Sequence, residues 1–580
     1  MARLPILTST GDPVTRLMPN VFATRRLARD SASEQCFEMV KHWMKTCMET
    51  HGPKCPSKKA ILPSRLIDVG CAGHPTVSLH VANGETGQWL TLSHCWGKKA
   101  LSGTTTTNFE ARCNSIHLFS LPQTFQDAIS IARKLGYRFI WIDCLCIIQD
   151  SLEDWHAESA RMAEMYAGAD MNISADTAAD AYEGIFRSSN KLPNNPDLVA
   201  HSRYEEFEEI PVHGSLLPGP TKLFASRRDS QYDPDVLSLL GKRAWVFQEA
   251  LLSRRRLRYT VQGLVWHCRT VHSLCTERNP HKIHDVDFDK GYVVSVYDIP
   301  YEPLPPRWAF GSIPRLGFQA IFWWYRQVNE YAPLLLTFPK DRFPALSGLA
   351  KEFSSRTGYE YQCGIWKEDF RRGLLWESTG GATDLTIAPS WSWAAAKCYA
   401  NYKPIYACRT EEWDYLEGRE AELIECGEDS TRVDVFGQAV LPVMIRLRGL
   451  CKSFKSLLES SIFYFGTAGD PLGRRDAAYE PSLDEPASSS IRICMDDEDM
   501  SIKAFWMRKE PMVIQIARFK LHESLYLESK WTRTSKESSF GLVLERTSDY
   551  EAIYRRIGIV EMPEDGSEEF GWEMKTVTIV

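Results

Sequence analysis

Between residues 31 and 175 the chain alternates apolar runs at helical spacing with short apolar runs that lack polar alternation. Cys36, Phe37, Val40, Trp43, Met44 and Cys47 share one helical face behind Ser31-x-x-Glu34, which has the form of a capping box. From Trp89, WLTLSHCWG reads as a strand running into a glycine turn. Phe125, Ala128, Ile129, Ala132 and Leu135 then recur at helical spacing within 122–135, and Gly136 supplies the stop. RFIWID at 138–143 is the pattern of a strand covered on both faces. Ser151-x-x-Asp154 opens a second capped helix through Trp155, Glu158, Met162, Met165 and Tyr166, and Met171 to Ala175 reads as the next strand. The series predicts a doubly wound α/β unit over 85–190, with 89–95, 138–143 and 171–175 as neighbouring parallel strands.

Residues 1–30 lack periodicity and read as a loosely ordered arm, and the proline-containing, polar stretch 190–240 reads as an excursion or lid. RAWVFQEALL at 243–252 has a helical pattern, and RLRYTVQGLVWHC alternates about Gln262-Gly263 like a hairpin. Residues 280–310 are punctuated by prolines; 317–352 and 363–376 read as helical. From about 385 onward short alternating runs (RVDVFGQ, MIRLRGL, VIQIARF, KTVTIV) predict a β-rich region broken by the polar loops DEPASSS and DDEDM. The expected division is an N-terminal arm and helix (1–84), a domain over 85–270 with its α/β core at 85–190, a helical region (271–384) and the β-rich remainder (385–580).

Lys and Arg number 68 against 75 Asp and Glu, a net charge of −7, which gives no global reason to bind nucleic acid or an anionic membrane. The dense basic group Arg254, Arg255, Arg256 and Arg258 is explained as a charged edge strand before it is explained as a phosphate site. No apolar run approaches the roughly 20 residues of a spanning helix, and Pro5, Asp12 and Pro13 interrupt any signal peptide. The sixteen cysteines therefore read as reduced thiols of a soluble, cytoplasmic protein. Cys47, His51 and Cys55 lie near one helical face, but Gly52-Pro53 ends the helix before Cys55 and no fourth ligand is assigned, so no metal is expected. Cys268, His272 and Cys275 are a sparse group with the same shortfall. Cys95 cannot use the adjacent His94 as a base, because neighbours on a strand point to opposite faces. The aromatic groups at 322–325 and 389–393 read as packing.

Three blocks, TLSHCWG at 91–97, the stretch from Leu121 to Ala169, and RAWVFQEALLSRRRLRY at 243–259, closely resemble the fungal heterokaryon-incompatibility (HET) domain. PSRLIDVG at 63–70, DRFPALSGLA at 341–350, GLLW at 373–376 and APSWSWAA at 388–395 resemble segments that surround that domain. The resemblance implies a cytosolic fungal protein of non-self recognition that promotes regulated cell death, with another incompatibility or signalling protein, or a second copy, as partner. HET domains in turn are similar to TIR domains, many of which cleave NAD. That implies a TIR-like doubly wound parallel sheet with helical elaborations, followed by the β-rich C-terminal region. LSHCWG stands where a TIR domain has its first strand and loop, and Trp155-His-Ala-Glu158 resembles the Trp-Cys pair that precedes the TIR catalytic glutamate, with His156 in place of cysteine.

Glu158 follows Trp155 by three and precedes Met162 by four, which places a carboxylate on the apolar stripe of its helix. Either it pairs with an arginine and locks the helix, or it is catalytic. The chemistry it suits is N-glycosidic cleavage of NAD, as substrate and not as cofactor, since nicotinamide is a cationic leaving group that needs no acid. Ligands of doubly wound sheets sit beyond the strands' carboxyl ends, which makes Ser93, Gly97, Lys98 and Asp143 expected binding residues, and the TIR resemblance adds Trp155. Trp245, Gln248, Glu249 and Leu252 share a face in the same way on the 243–252 helix, and Arg243 is a candidate partner for an inward carboxylate. The alternative is a module without catalysis that self-assembles or docks on a signalling partner.

Overall fold

The computed structural model describes residues 30–57, 59–99, 103–188, 238–261, 263–269, 315–378, 383–397, 400–402, 421–427, 443–459, 491–496, 511–527, 530–547, 552–563 and 571–580. To these it adds Ala28 and the short strands Ile6–Ser9, Val21–Thr24, Glu208–Ile210, Leu223–Ala225, Cys275–Thr276 and Phe463–Phe465. RVDVFGQ, DEPASSS, the 280–310 segment and most of 190–240 lie outside the described residues. The chain divides into two compact units, Met1–Lys290 and Gly291–Val580.

The first unit is built on nine strands: β1 (Arg65–Asp68), β2 (Thr76–Val81), β3 (Trp89–Ser93), β4 (Ile116–His117), β5 (Phe139–Trp141), β6 (Met171–Ser174), β7 (Arg255–Thr260), β8 (Gly263–Cys268) and β9 (Cys275–Thr276). Their spatial order is β9-β8-β7-β6-β3-β5-β1-β2-β4. β5, β3, β6 and β7 are mutually parallel, so the three predicted strands are neighbours with β3 in the middle. The sheet as a whole is mixed, however, which corrects the expectation of a parallel sheet. β1, β2 and β4 extend one side by antiparallel pairing, and β8 and β9 extend the other beyond β7. In TVSLHV of β2, Val77 and Leu79 are buried while their neighbours are partly exposed, the alternation of a strand covered on one face. The sheet thus takes strands from both sides of residue 85.

Helices α1 (Glu34–Thr50), α2 (Gln123–Leu135), α3 (Leu152–Gly168) and α4 (Ala244–Leu252) cover the sheet. α1 and α2 are bridged by Lys134 and Glu34 at 2.8 Å. On the other face, the Trp89 indole donates to the carbonyl of Met165 on α3, and Trp141 meets Tyr166 edge-on. Gly136, in the left-handed region at φ 82°, ends α2, as its position after the last apolar residue predicts. Ser151 caps α3 by accepting from the Asp154 amide at 3.2 Å. The Ser31 box is not formed: α1 starts after Ser33, and Ser31 Oγ instead accepts from the Arg187 amide at 2.8 Å. A long-range partner has taken the side chain that local pattern assigned to the helix. Residues 1–30 are also more than an arm, since Ile6–Ser9 and Val21–Thr24 pair in parallel within a four-stranded sheet.

In the second unit the helical run predicted over 317–352 is two helices, Arg315–Tyr331 and Pro344–Thr357, separated by a stretch containing Pro333 and Pro339. Within 363–376 helix is confined to a 3₁₀ turn at Lys367–Asp369 and the short helix Phe370–Gly373, because Cys363 and Gly364, both at positive φ, turn Tyr361–Gln362 back on Ile365–Trp366. Trp324, Phe353 and Trp366 cluster with ring centroids 4.7–5.4 Å apart, so the aromatic group is core. The β-rich remainder is an eight-stranded, mostly antiparallel sheet. No described helix is long and apolar enough to cross a membrane.

Candidate functional site at the carboxyl ends of the central strands

A strand buried on both faces should be apolar, yet one face of the central sheet is polar at its carboxyl end. Thr91 and Ser93 of β3 and Asn172 and Ser174 of β6 are all at most 1% exposed. From β3 the chain crosses to β5 on one side, and from β6 it proceeds to β7 on the other. The order β5-β3-β6-β7 therefore places a topological switch point between β3 and β6, where doubly wound sheets bind ligands.

Ser93 Oγ donates to Glu249 Oε2 from α4 and accepts from Asn172 Nδ2 at 2.9 Å. Asn172 Oδ1 takes the Thr91 hydroxyl at 3.3 Å. Tyr166 of α3 donates to the Leu92 carbonyl at 3.3 Å, and burial pushes its phenol well up, so it stays protonated. Burial pushes Glu249 up to about 7; Asp143 adds repulsion, while Ser93, Arg243 and Tyr166 pull it down. Near neutrality this carboxyl exchanges its proton readily, the property required of a group that serves in both ionisation states.

On the opposite face, His94 lies edge-on to Phe125 at 4.9 Å, with Nδ1 3.8 Å from Asp143 Oδ1. Its Nε2 is buried and has no hydrogen-bond partner among the described residues, and burial lowers its pKa, so the ring is a neutral imidazole. Asp143 accepts from the Trp96 indole at 2.8 Å and from the Cys144 amide at 2.7 Å. Arg243 is tied to the His94 carbonyl at 2.7 Å. Burial raises the Cys95 thiol, which keeps it protonated and unreactive. Beyond β6, Asp176 receives both Nε and Nη2 of Arg258 at 2.8 and 2.6 Å, closing the far side with a buried ion pair.

Of the expected site residues, Ser93 lies at the centre of this cluster and Asp143 beside His94. Gly97 follows on the next loop at φ 77°, so close to Asp180 that a Cβ would sit 2.3 Å from its side chain, and Lys98 is exposed. Trp155 packs against the core beside His156. Glu158 is buried, as its place on the stripe predicts, but its ionic partner is Arg65 at 3.5 Å. Arg65 is held in addition by Asp154 at 2.6 Å and by the Cys146 carbonyl. The carboxylate that meets Ser93 is Glu249, and its signal was the same one: a single acid on the buried face of an otherwise apolar helix. What pattern could not supply was the cross-chain partner. A separate cleft of about 600 Å³, lined by Lys41, Gln88, Tyr137 and Arg138 among others, lies at the amino ends of the parallel strands, away from these groups.

Residues 89–249 match the family described as "Heterokaryon incompatibility protein (HET)". The matched span opens at the first residue of β3 and closes on Glu249, so it contains Ser93, Asn172, Tyr166, His94, Asp143 and Glu249. The match suggests involvement in heterokaryon incompatibility. No curated protein and no solved structure matches the chain.

Proposed function

We propose that the 89–249 segment is the signalling unit of a fungal non-self recognition protein that promotes regulated cell death in the cytoplasm, and that it acts by hydrolysing NAD at the Ser93–Glu249 site. The observation that carries this reading is a carboxyl group lifted to about 7 at the switch point between the parallel strands β3 and β6 of a mixed sheet. The order β5-β3-β6-β7 also supports the TIR-like reading of this core. In the reaction, the bond between the ribose C1′ and the nicotinamide nitrogen breaks and its electron pair leaves with nicotinamide, whose positive charge is thereby neutralised. Water adds to C1′ and loses a proton, giving ADP-ribose. Ionised Glu249 stabilises the oxocarbenium-like ribose or takes the proton from water, with Ser93 and Asn172 fixing its orientation. Glu158, already engaged by Arg65, holds α3 against β1 in this account.

A second reading is favoured by one observation: Ser93 and Glu249 are only 1% and 7% exposed and satisfy one another. As a purely structural network they would leave the segment to act by self-association or by docking on another incompatibility protein. Incubating the purified chain with NAD and following nicotinamide and ADP-ribose by chromatography separates the two. Stoichiometric release of both supports hydrolysis. Intact NAD, together with concentration-dependent assembly of the folded chain, supports the interaction module.

A further inference from the structure

α1 ends at Thr50, and the chain does not leave in an extended direction. Gly52, in the left-handed region at φ 53°, opens a 3₁₀ turn over Gly52–Lys54 that folds Cys55 back, its amide bonded to the Gly52 carbonyl. The glycine-proline break that separates Cys55 from the helix is thus the device that returns it to the side chains of Cys47 and His51. β8 ends beside them at Cys268. The three sulfurs and one imidazole nitrogen all lie within 4.8 Å of one another, and Cys268 Sγ is 3.3 Å from His51 Nδ1. Four such atoms around one tetrahedral zinc, at ~2.3 Å for sulfur and ~2.0 Å for nitrogen, stand roughly 3.5–3.8 Å apart. The cluster therefore needs only small side-chain adjustments to close on an ion.

Charge gives a second, independent indication. Arg255 is 0% exposed, and its guanidinium donates to Cys47 Sγ at 3.1 Å, to the Cys55 carbonyl at 2.6 Å and to the Asp170 carbonyl at 3.0 Å. The Asp170 carboxylate is itself engaged by Gln88, Tyr137 and Arg254. A buried cation calls for a buried anion. Three thiolates and an imidazole on a divalent ion carry one net negative charge, and Arg255 stands in contact with one of those sulfurs.

We infer that Cys47, His51, Cys55 and Cys268 form a zinc site that fastens the carboxyl end of α1 to the end of β8. Thiolate and imidazole donors select zinc over the oxygen-seeking calcium and magnesium. Binding displaces the protons of the three thiols into solvent and leaves the sulfur oxidation state unchanged. Four protein ligands fill the tetrahedron and leave no position for water, so the ion is structural. The site stands independently of the NAD reading.

Metal analysis of the full chain, purified without added metals or chelators, tests this. The expected result is about one zinc per chain, replaced on cobalt(II) exchange by the visible absorption of a tetrahedral thiolate complex. Cys268→Ser should lose most of the zinc and the cobalt colour, whereas Cys71→Ser, at an exposed cysteine outside the group, should keep both. A folded wild-type chain that contains no zinc and develops no cobalt–thiolate spectrum overturns the assignment without recourse to any variant. So does a Cys47–Cys268 disulfide in the mass spectrum, or full zinc content in Cys268→Ser.

Discussion

Glu249→Gln is expected to stabilise the protein increasingly as pH rises. Below about pH 4.5 the carboxyl is protonated in both folded and unfolded chains and the substitution changes little. Between its ordinary value of 4.5 and about 7 the folded state binds the extra proton, so wild-type stability falls with pH, and above 7 the penalty is complete. That interval is worth about 3 kcal/mol at roughly 1.4 kcal/mol per pH unit. Glutamine keeps the Ser93 contact and carries no charge, so it escapes the penalty. Melting temperatures of the two proteins compared from pH 5 to 8 should diverge upward in favour of the variant. Parallel profiles would mean that the Glu249 carboxyl titrates at its ordinary value.

Arg556→Ala in the second unit should have the opposite and larger effect. The Arg556 side chain is fully buried and binds Asp496 through Nε and Nη2 at 3.0 and 3.1 Å. It also donates to the carbonyls of Leu374 at 2.6 Å and Trp376, and its guanidinium stacks 3.5 Å from the Trp376 ring centroid. Removing it takes the guanidinium away from a buried carboxylate and two carbonyls, a loss on the order of 3–5 kcal/mol. Lysine should not rescue, because an ammonium lacks both the planar fork and the stacking face. Denaturant unfolding of the full chain reads this, and a loss below about 1 kcal/mol would show that the network relaxes around the gap.

The legible parts of the fold were those set by neighbours in sequence. The apolar runs at 89–93 and 139–141, the Gly136 stop and the Ser151 cap are local statements, and the structure carries them. Ser31 shows the limit of such statements, since the same four-residue signature was overruled by Arg187, far along the chain. The antiparallel additions to the sheet depend on which strand meets which edge, and a short alternating segment such as TVSLHV does not specify that. The same reason governs the sites. An inward acid on an apolar helix was readable at both Glu158 and Glu249, but the difference between them lies in Arg65 and Ser93, which tertiary structure supplies. Cys268 likewise reaches His51 only through the β7–β8 hairpin.

Nicotinamide release from NAD, measured with melting temperature on wild type, Glu249→Gln and Glu158→Gln side by side, tests the central claim most directly. The account predicts turnover by wild type and a loss of roughly two decades or more in Glu249→Gln, the scale of a lost electrostatic stabiliser. Glu158→Gln should keep its turnover and lose only about 1–2 kcal/mol of stability, because Asp154 continues to hold Arg65. Turnover that survives in Glu249→Gln and disappears in a well-folded Glu158→Gln, or a folded wild-type chain that releases no nicotinamide, would contradict it.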